Sequence, residues 1–245
     1  MLPRGFVLLL LTFLLSVAQA ERPILAAVPA GLPPPLLNEE TPELTGIVPE
    51  YTMALIEILG REGSMALLPR NRLTNYLTKG VVDFLCYTNK EWAGDASQFL
   101  WTDNLFEKRE VILGPKDMPK KIKDFNGQVI GTMLGYAYPK LEPLFQENKI
   151  LREDGPDEQA NLNKLLNQHI YYVVTDEIFL DHYEKTHHNV ELNRKRLFEQ
   201  QYPITCSVSK NGTVSVKELN AAIVKLKSSK KLEGIFKKHG CTLYL

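Results

Sequence analysis

Short strands and short helices alternate along this chain in two separate runs. Between them lies one extended segment, Glu110-Val-Ile-Leu-Gly-Pro115, that ends in a Gly-Pro breaker. In the first run, Ile24 to Val28 reads as a strand, followed by a proline-rich loop. Pro49 then opens a helix with Met53, Ile56 and Leu59 on one face, ended by Gly60. Met65 to Leu68, a short helix through Leu73, Tyr76 and Leu77, and the strand Val81 to Tyr87 complete it. The second run gives strand Gln128 to Leu134, helix Tyr138 to Asn148, strand Ile150 to Arg152 and helix Asn161 to Leu166, then strand Tyr171 to Val174 and helix Asp176 to Lys185. Ile204 to Val208 returns to strand, and Lys217 to Gly240 reads as one terminal helix. Alternation with connections this short predicts parallel α/β sheets, hence two lobes joined by two crossings.

The first residues set the expected compartment. Arg4, the apolar run Phe6 to Leu15 and Ala18-Gln19-Ala20 have the order of a secretory leader, with cleavage after Ala20. Retention as an N-terminal anchor is the alternative, but the run falls short of the ~18 apolar residues of a spanning helix. Lys plus Arg equal Asp plus Glu at 29 each, and losing Arg4 with the leader tips the remainder one charge negative. A nucleic acid or an anionic membrane is therefore not the expected partner. In an oxidising compartment the three cysteines allow one disulfide and one free thiol. Cys206 lies in a strand-like run and Cys241 follows the last helix, so these two are expected to pair.

Five stretches, in order, resemble the two-lobed family 3 periplasmic solute-binding proteins. GIVPEYTMALIEILG is similar to the family's helix entry, and PRNRLTNYLTKGVVD to its "P-x-x-R-x-x-x-x-L-x-x-G-x-x-D" run. FLWTDNLFEKREVILG resembles the approach to its crossing strand. IKDFNGQVIGTMLGYAY resembles "DL-x-G-K-x-V-G-x-x-x-G", and YYVVTDEIFLDHY resembles "D-A-x-x-x-D-x-x-x-x-x-x-Y". The resemblance implies a type II periplasmic binding protein fold, with lobe 1 over 21–114 plus 203–245 and lobe 2 over 115–202. It also implies a ligand in the cleft between them, where the carboxyl ends of the strands meet.

In amino-acid-binding members an arginine clamps the ligand carboxylate and an aspartate of lobe 2 receives the ammonium. Thr88-Asn-Lys-Glu91 resembles the approach to that arginine, but Trp92 occupies its place; Asp176 matches the aspartate. Trp92 is read three ways: a platform for a ring or cation, lobe packing while Arg70 or Arg72 reaches into the cleft, or a degenerate site. The expected ligand-binding set is Arg70, Tyr87, Thr88, Asn89, Trp92, Gly135, Tyr136, Tyr138 and Asp176. Gly135 to Tyr138 is expected to open a helix whose N–H groups favour an anion. The alternative reading of Asp176 is a helix N-cap, and that of Arg70 a solvated arginine at a helix start.

His187-His188 and His182 lack metal-ligand spacing, and Asn211-Gly-Thr213 reads as a turn after a strand. No cofactor is expected. The expected function is capture of a small polar or ring-bearing solute for a transporter, by a monomer outside the ordinary amino-acid clamp. The expected partners are that solute and an inner-membrane permease or sensor. Two rivals remain: a sensing module that signals to a membrane protein, and a dehydratase-like enzyme with Glu91 or Asp176 as general acid.

Overall fold

The computed structural model describes residues 22–39, 43–187 and 195–245; the expected leader and His188 lie outside them. The first run folds as β1 (Ile24–Pro29), α1 (Ile47–Leu59), β2 (Gly63–Leu68), α2 (Arg70–Thr78) and β3 (Phe84–Thr88), followed by the short β4 (Leu100–Trp101). The crossing strand β5 covers Phe106–Gly114. Beyond it come β6 (Val129–Met133), α3 (Glu142–Gln146), β7 (Leu151–Gly155), α4 (Glu158–Leu166), β8 (Tyr172–Asp176) and α5 (Glu177–Thr186). The long β9 (Lys195–Val208) leads back to α6 (Val216–Ser228) and α7 (Lys231–Lys238).

The strands order as β2-β1-β3-β9-β5-β8-β6-β7. Around β1 and around β6 the pairings are parallel, as the alternation predicts. The crossings are antiparallel: β9 pairs β5 from Lys195 to Ile204, then changes partner to β3 from Thr205 to Val208. Two α/β lobes joined by two crossing strands result. Each lobe has helices on both sides of its sheet, so apolar residues on both strand faces are covered. In the first lobe Tyr51, Phe84, Phe106 and Phe236 centre one core, and Ala27, Leu77 and Leu85 another. In the second, Leu162, Leu165 and Val173 lie on one side of the sheet and Phe125, Ile130 and Tyr138 on the other.

Three expectations change. Cys86, not Cys241, is bonded to Cys206. The two are direct partners across the β3–β9 ladder, whereas Cys241 is a buried free thiol. Burial, then the charges of Asp181 and Asp176, push that thiol up to about 12. The terminal helix is two helices, because Lys230 adopts a left-handed φ of 57° between α6 and α7. Helix α3 starts at Glu142 rather than Tyr138. Pro139 disfavours helical geometry at Tyr138, and Pro143 fits the first turn of a helix that begins later.

Candidate functional site

Between the lobes lies a cleft of about 1150 Å³, bordered by α2, the end of β3, the crossing strands and the starts of α4 and α5. Two ladder irregularities sit beside it. Tyr87, at the β3–β9 register shift, adopts φ 74°, a conformation uncommon outside glycine. The second shift falls between Glu110 and Val111 of β5. Bulges re-aim side chains, and here both residues beside the shifts, Tyr87 and Glu110, line the cleft.

Of the expected residues, Arg70, Tyr87, Thr88, Trp92, Gly135, Tyr136 and Asp176 line the cleft. Arg70 begins α2 and is exposed. Trp92 is 45 % exposed and meets Tyr202 with ring centroids 5.5 Å apart. Asn89 and Tyr138 are corrections. Asn89 is buried: its Nδ2 donates to the Pro203 carbonyl at 2.8 Å and its Oδ1 accepts from the Glu91 N–H at 2.7 Å, so it caps the Lys90–Trp92 turn. Tyr138 is 1 % exposed in the second lobe's core, where its hydroxyl accepts from the Met133 N–H. No helix begins at Gly135, so the expected helix N-terminus for an anion is not there. Instead the Arg152 guanidinium donates to the Met133 and Tyr136 carbonyls and fixes this turn. Glu91 is exposed and lies off the cleft.

Asp176 is the expected N-cap of α5, and it also pairs with a lysine that the sequence reading does not place there. Its Oδ1 accepts from the Ile178 N–H at 2.8 Å, capping α5, while Oδ2 lies 3.5 Å from Lys108 Nζ. Lys108 donates to Glu110 Oε1 at 2.6 Å, and Glu158 Oε1 accepts from the Asp176 N–H at 3.3 Å. Glu110 and Asp176 therefore share one ammonium on the cleft floor, with the Glu158 carboxyl beside them. Burial alone would depress the Lys108 ammonium, but the charges of Asp176 and Glu110 outweigh it and hold its pKa well above the usual. Burial raises Asp176, with Lys108 opposing. Glu158 is pushed up to about 8 by burial and then by the Asp176 charge. These directions agree, since one cation cannot neutralise three anions.

Lys108, Glu110, Glu158 and Tyr202 escaped the sequence reading. A signal existed for two of them: in FEKREVILG the charges at 108 and 110 stand two apart and so share one strand face. The ladder then sets Lys108 opposite Tyr202, its Nζ 5.8 Å from the ring centroid, and Glu110 opposite Asp176. Cross-strand pairing of that kind is invisible without the register. His182 and His187 also border the cleft, but His182 Nδ1 contacts the His239 carbonyl oxygen and His187 stacks on Tyr183 at 4.0 Å. Among the described residues no group of His, Cys, Asp or Glu is arranged to hold a metal ion.

No family model matches the chain, nor does any curated protein. Solved structures do. The unliganded, open L-cystine solute receptor of Neisseria gonorrhoeae superposes with a TM-score of 0.72 at 17 % identity, over 91 % of this chain and 94 % of that one. The GluR0 ligand-binding core in complex with L-glutamate gives 0.68 at 15 % identity, over 91 % and 99 %. Substrate-binding domain 2 of Lactococcus lactis GlnP, in its open conformation, gives 0.66 at 18 % identity, over 88 % and 94 %. The chain thus has the type II periplasmic binding protein fold. A fold shared this widely chooses no ligand, and 1201 solved chains match it.

Proposed function

We propose that this protein captures a small polar or ring-bearing solute in the interlobe cleft outside the cytoplasm and delivers it to a membrane permease. Residues 21–114 plus 203–245 would form one jaw and 115–202 the other, closing about β5 and β9. The observation that carries the reading is the cleft itself: polar and charged groups on its floor, aromatic rings on its wall, and an opening between two separately packed lobes. Support also comes from the likenesses, which include a solute receptor and a substrate-binding domain. Trp92, in the place that the resemblance gives to the clamping arginine, favours a ligand outside the ordinary amino-acid set. The experiment is a thermal-shift screen of the purified mature chain against a broad panel of metabolites. Stabilisation by at least one solute is expected, and a flat response across the panel contradicts the proposal.

One observation favours an enzymatic reading as second choice. Glu158, raised to about 8, keeps a carboxylic acid protonated in the cleft at neutral pH, as a general acid requires. Turnover of cyclohexadienyl acids, followed by absorbance and abolished in Glu158→Gln, would establish it; no turnover removes it.

A further inference from the structure

The charge on the cleft floor is unbalanced in one direction. Glu110 is only 6 % exposed, and its Oε2 has no hydrogen-bond partner among the described residues; the same holds for the buried Oε2 of Glu158. Both residues line the cleft. Lys108 does not resolve this, because its Nζ is already engaged by Glu110 Oε1 and Asp176 Oδ2. Buried acceptors left unpaired are destabilising, and more so when charged. What these two oxygens lack is a donor bearing positive charge.

We propose that the cleft takes an organic ammonium ion with no carboxylate of its own, its charge held by Glu110, Glu158 and Asp176 and its body packed on Trp92 and Tyr202. The proposal rests on the solute-capture reading and names the ligand class within it. An ammonium supplies up to three N–H donors, enough for both free oxygens, and aromatic faces attract cations. A ligand carboxylate finds nothing comparable. The resemblance puts Trp92 where the guanidinium fork would grip it, Lys108 is engaged by Glu110 and Asp176, and a further anion beside those two carboxylates is repelled. Arg70 stands exposed on α2, where solvent screens its charge.

Burial, then the Asp176 charge, push the Glu158 carboxyl up to about 8, which favours its protonated form at neutral pH. The charged and titratable groups that interact with it are Asp176, Lys108, Glu110, Tyr87 and Tyr138. An arriving ammonium favours the ionised carboxylate, so its binding releases that proton to the buffer.

The test is calorimetry of the mature chain with matched pairs: tyramine and tyrosine, tryptamine and tryptophan, putrescine and ornithine. At least one amine is expected to bind about tenfold or more tightly than its amino acid. Its binding heat should vary with the ionisation enthalpy of the buffer, as proton release demands. Glu158→Gln and Glu110→Gln should each weaken that amine by about tenfold or more. The amine and amino-acid comparison uses the unaltered protein, so it stands even where a variant fails to fold. Equal or tighter binding of the amino acids overturns the inference, as does binding by none of the amines. If neutral or acidic solutes nonetheless stabilise the protein, the capture reading survives that failure; if no solute does, both fall.

Discussion

Trp92 closes a 3₁₀ turn that Asn89 caps, and its half-exposed ring lies against Tyr202. Removing a half-exposed ring costs little folding energy but takes an aromatic face away from the cleft. Trp92→Ala is therefore expected to weaken the bound solute by about tenfold while shifting Tm by less than about 2 °C. Calorimetry and a thermal melt on the same sample check both halves. Asp176 calls for a gentler change, because its Oδ1 caps α5. Alanine would cost about 1 kcal/mol of helix capping alone, so Asp176→Asn isolates the charge. The cysteines give a further test at this scale. Mass spectrometry of unreduced, denatured protein alkylated after unfolding should find a single modified thiol, at Cys241, with Cys86 and Cys206 recovered as a linked peptide. A linked Cys206–Cys241 peptide would restore the pairing that position along the chain had suggested. Chain position is a poor guide here: the bonded residues are 120 apart and become neighbours only when β9 returns beside β3.

At the scale of elements, β5 governs the site, since its Lys108 and Glu110 reach Asp176 on β8 and lie beside Tyr202 on β9. Lys108→Met would leave Glu110 and Asp176 in a buried place without their cation. The expected loss is about 3–5 kcal/mol near neutral pH, read by denaturant unfolding, with partial recovery in acid as the carboxylates take up protons. Glu158 has the opposite sense. Its carboxyl rises from the ordinary 4.5 to about 8, so the folded chain keeps a proton that the unfolded chain loses between those values. Stability therefore falls as pH rises through that window. Glu158→Gln should raise Tm by several degrees near pH 8 and leave it unchanged near pH 4; a rise at both would assign the gain to packing.

Most elements were legible because period and breakers agree, as in α1, which starts two residues before Pro49 and ends at a left-handed Gly60. The exceptions have physical causes. The returning strand is expected only from Ile204, yet β9 begins at Lys195, runs through Pro203 and changes partner just beyond. In the terminal stretch, Leu219, Ile223 and Leu226 keep helical spacing, and nothing local announces the left-handed Lys230. Half of the site was hidden for a related reason: Glu158 and Tyr202 owe their place to topology, not to any motif.

At the scale of the molecule, the crossings are not the only links between lobes. The chain after α7 runs along α5, where the Thr242 N–H donates to Asp181 Oδ2 at 2.9 Å and Cys241 Sγ lies 3.5 Å from the Ile178 carbonyl oxygen. Tyr244 then accepts from the Glu107 N–H through its carbonyl, and its ring lies 4.3 Å from the Arg109 guanidinium carbon. Closure would bring Trp92 and Tyr136 nearer to the acidic floor and exclude water, which strengthens every charge interaction there.

Small-angle X-ray scattering of the mature chain, with and without a saturating concentration of a solute that stabilises it, tests that closure most directly. A smaller radius of gyration with the solute bound, absent in Asp176→Asn at the same concentration, is the predicted result. An unchanged radius at confirmed saturation would contradict capture between the lobes.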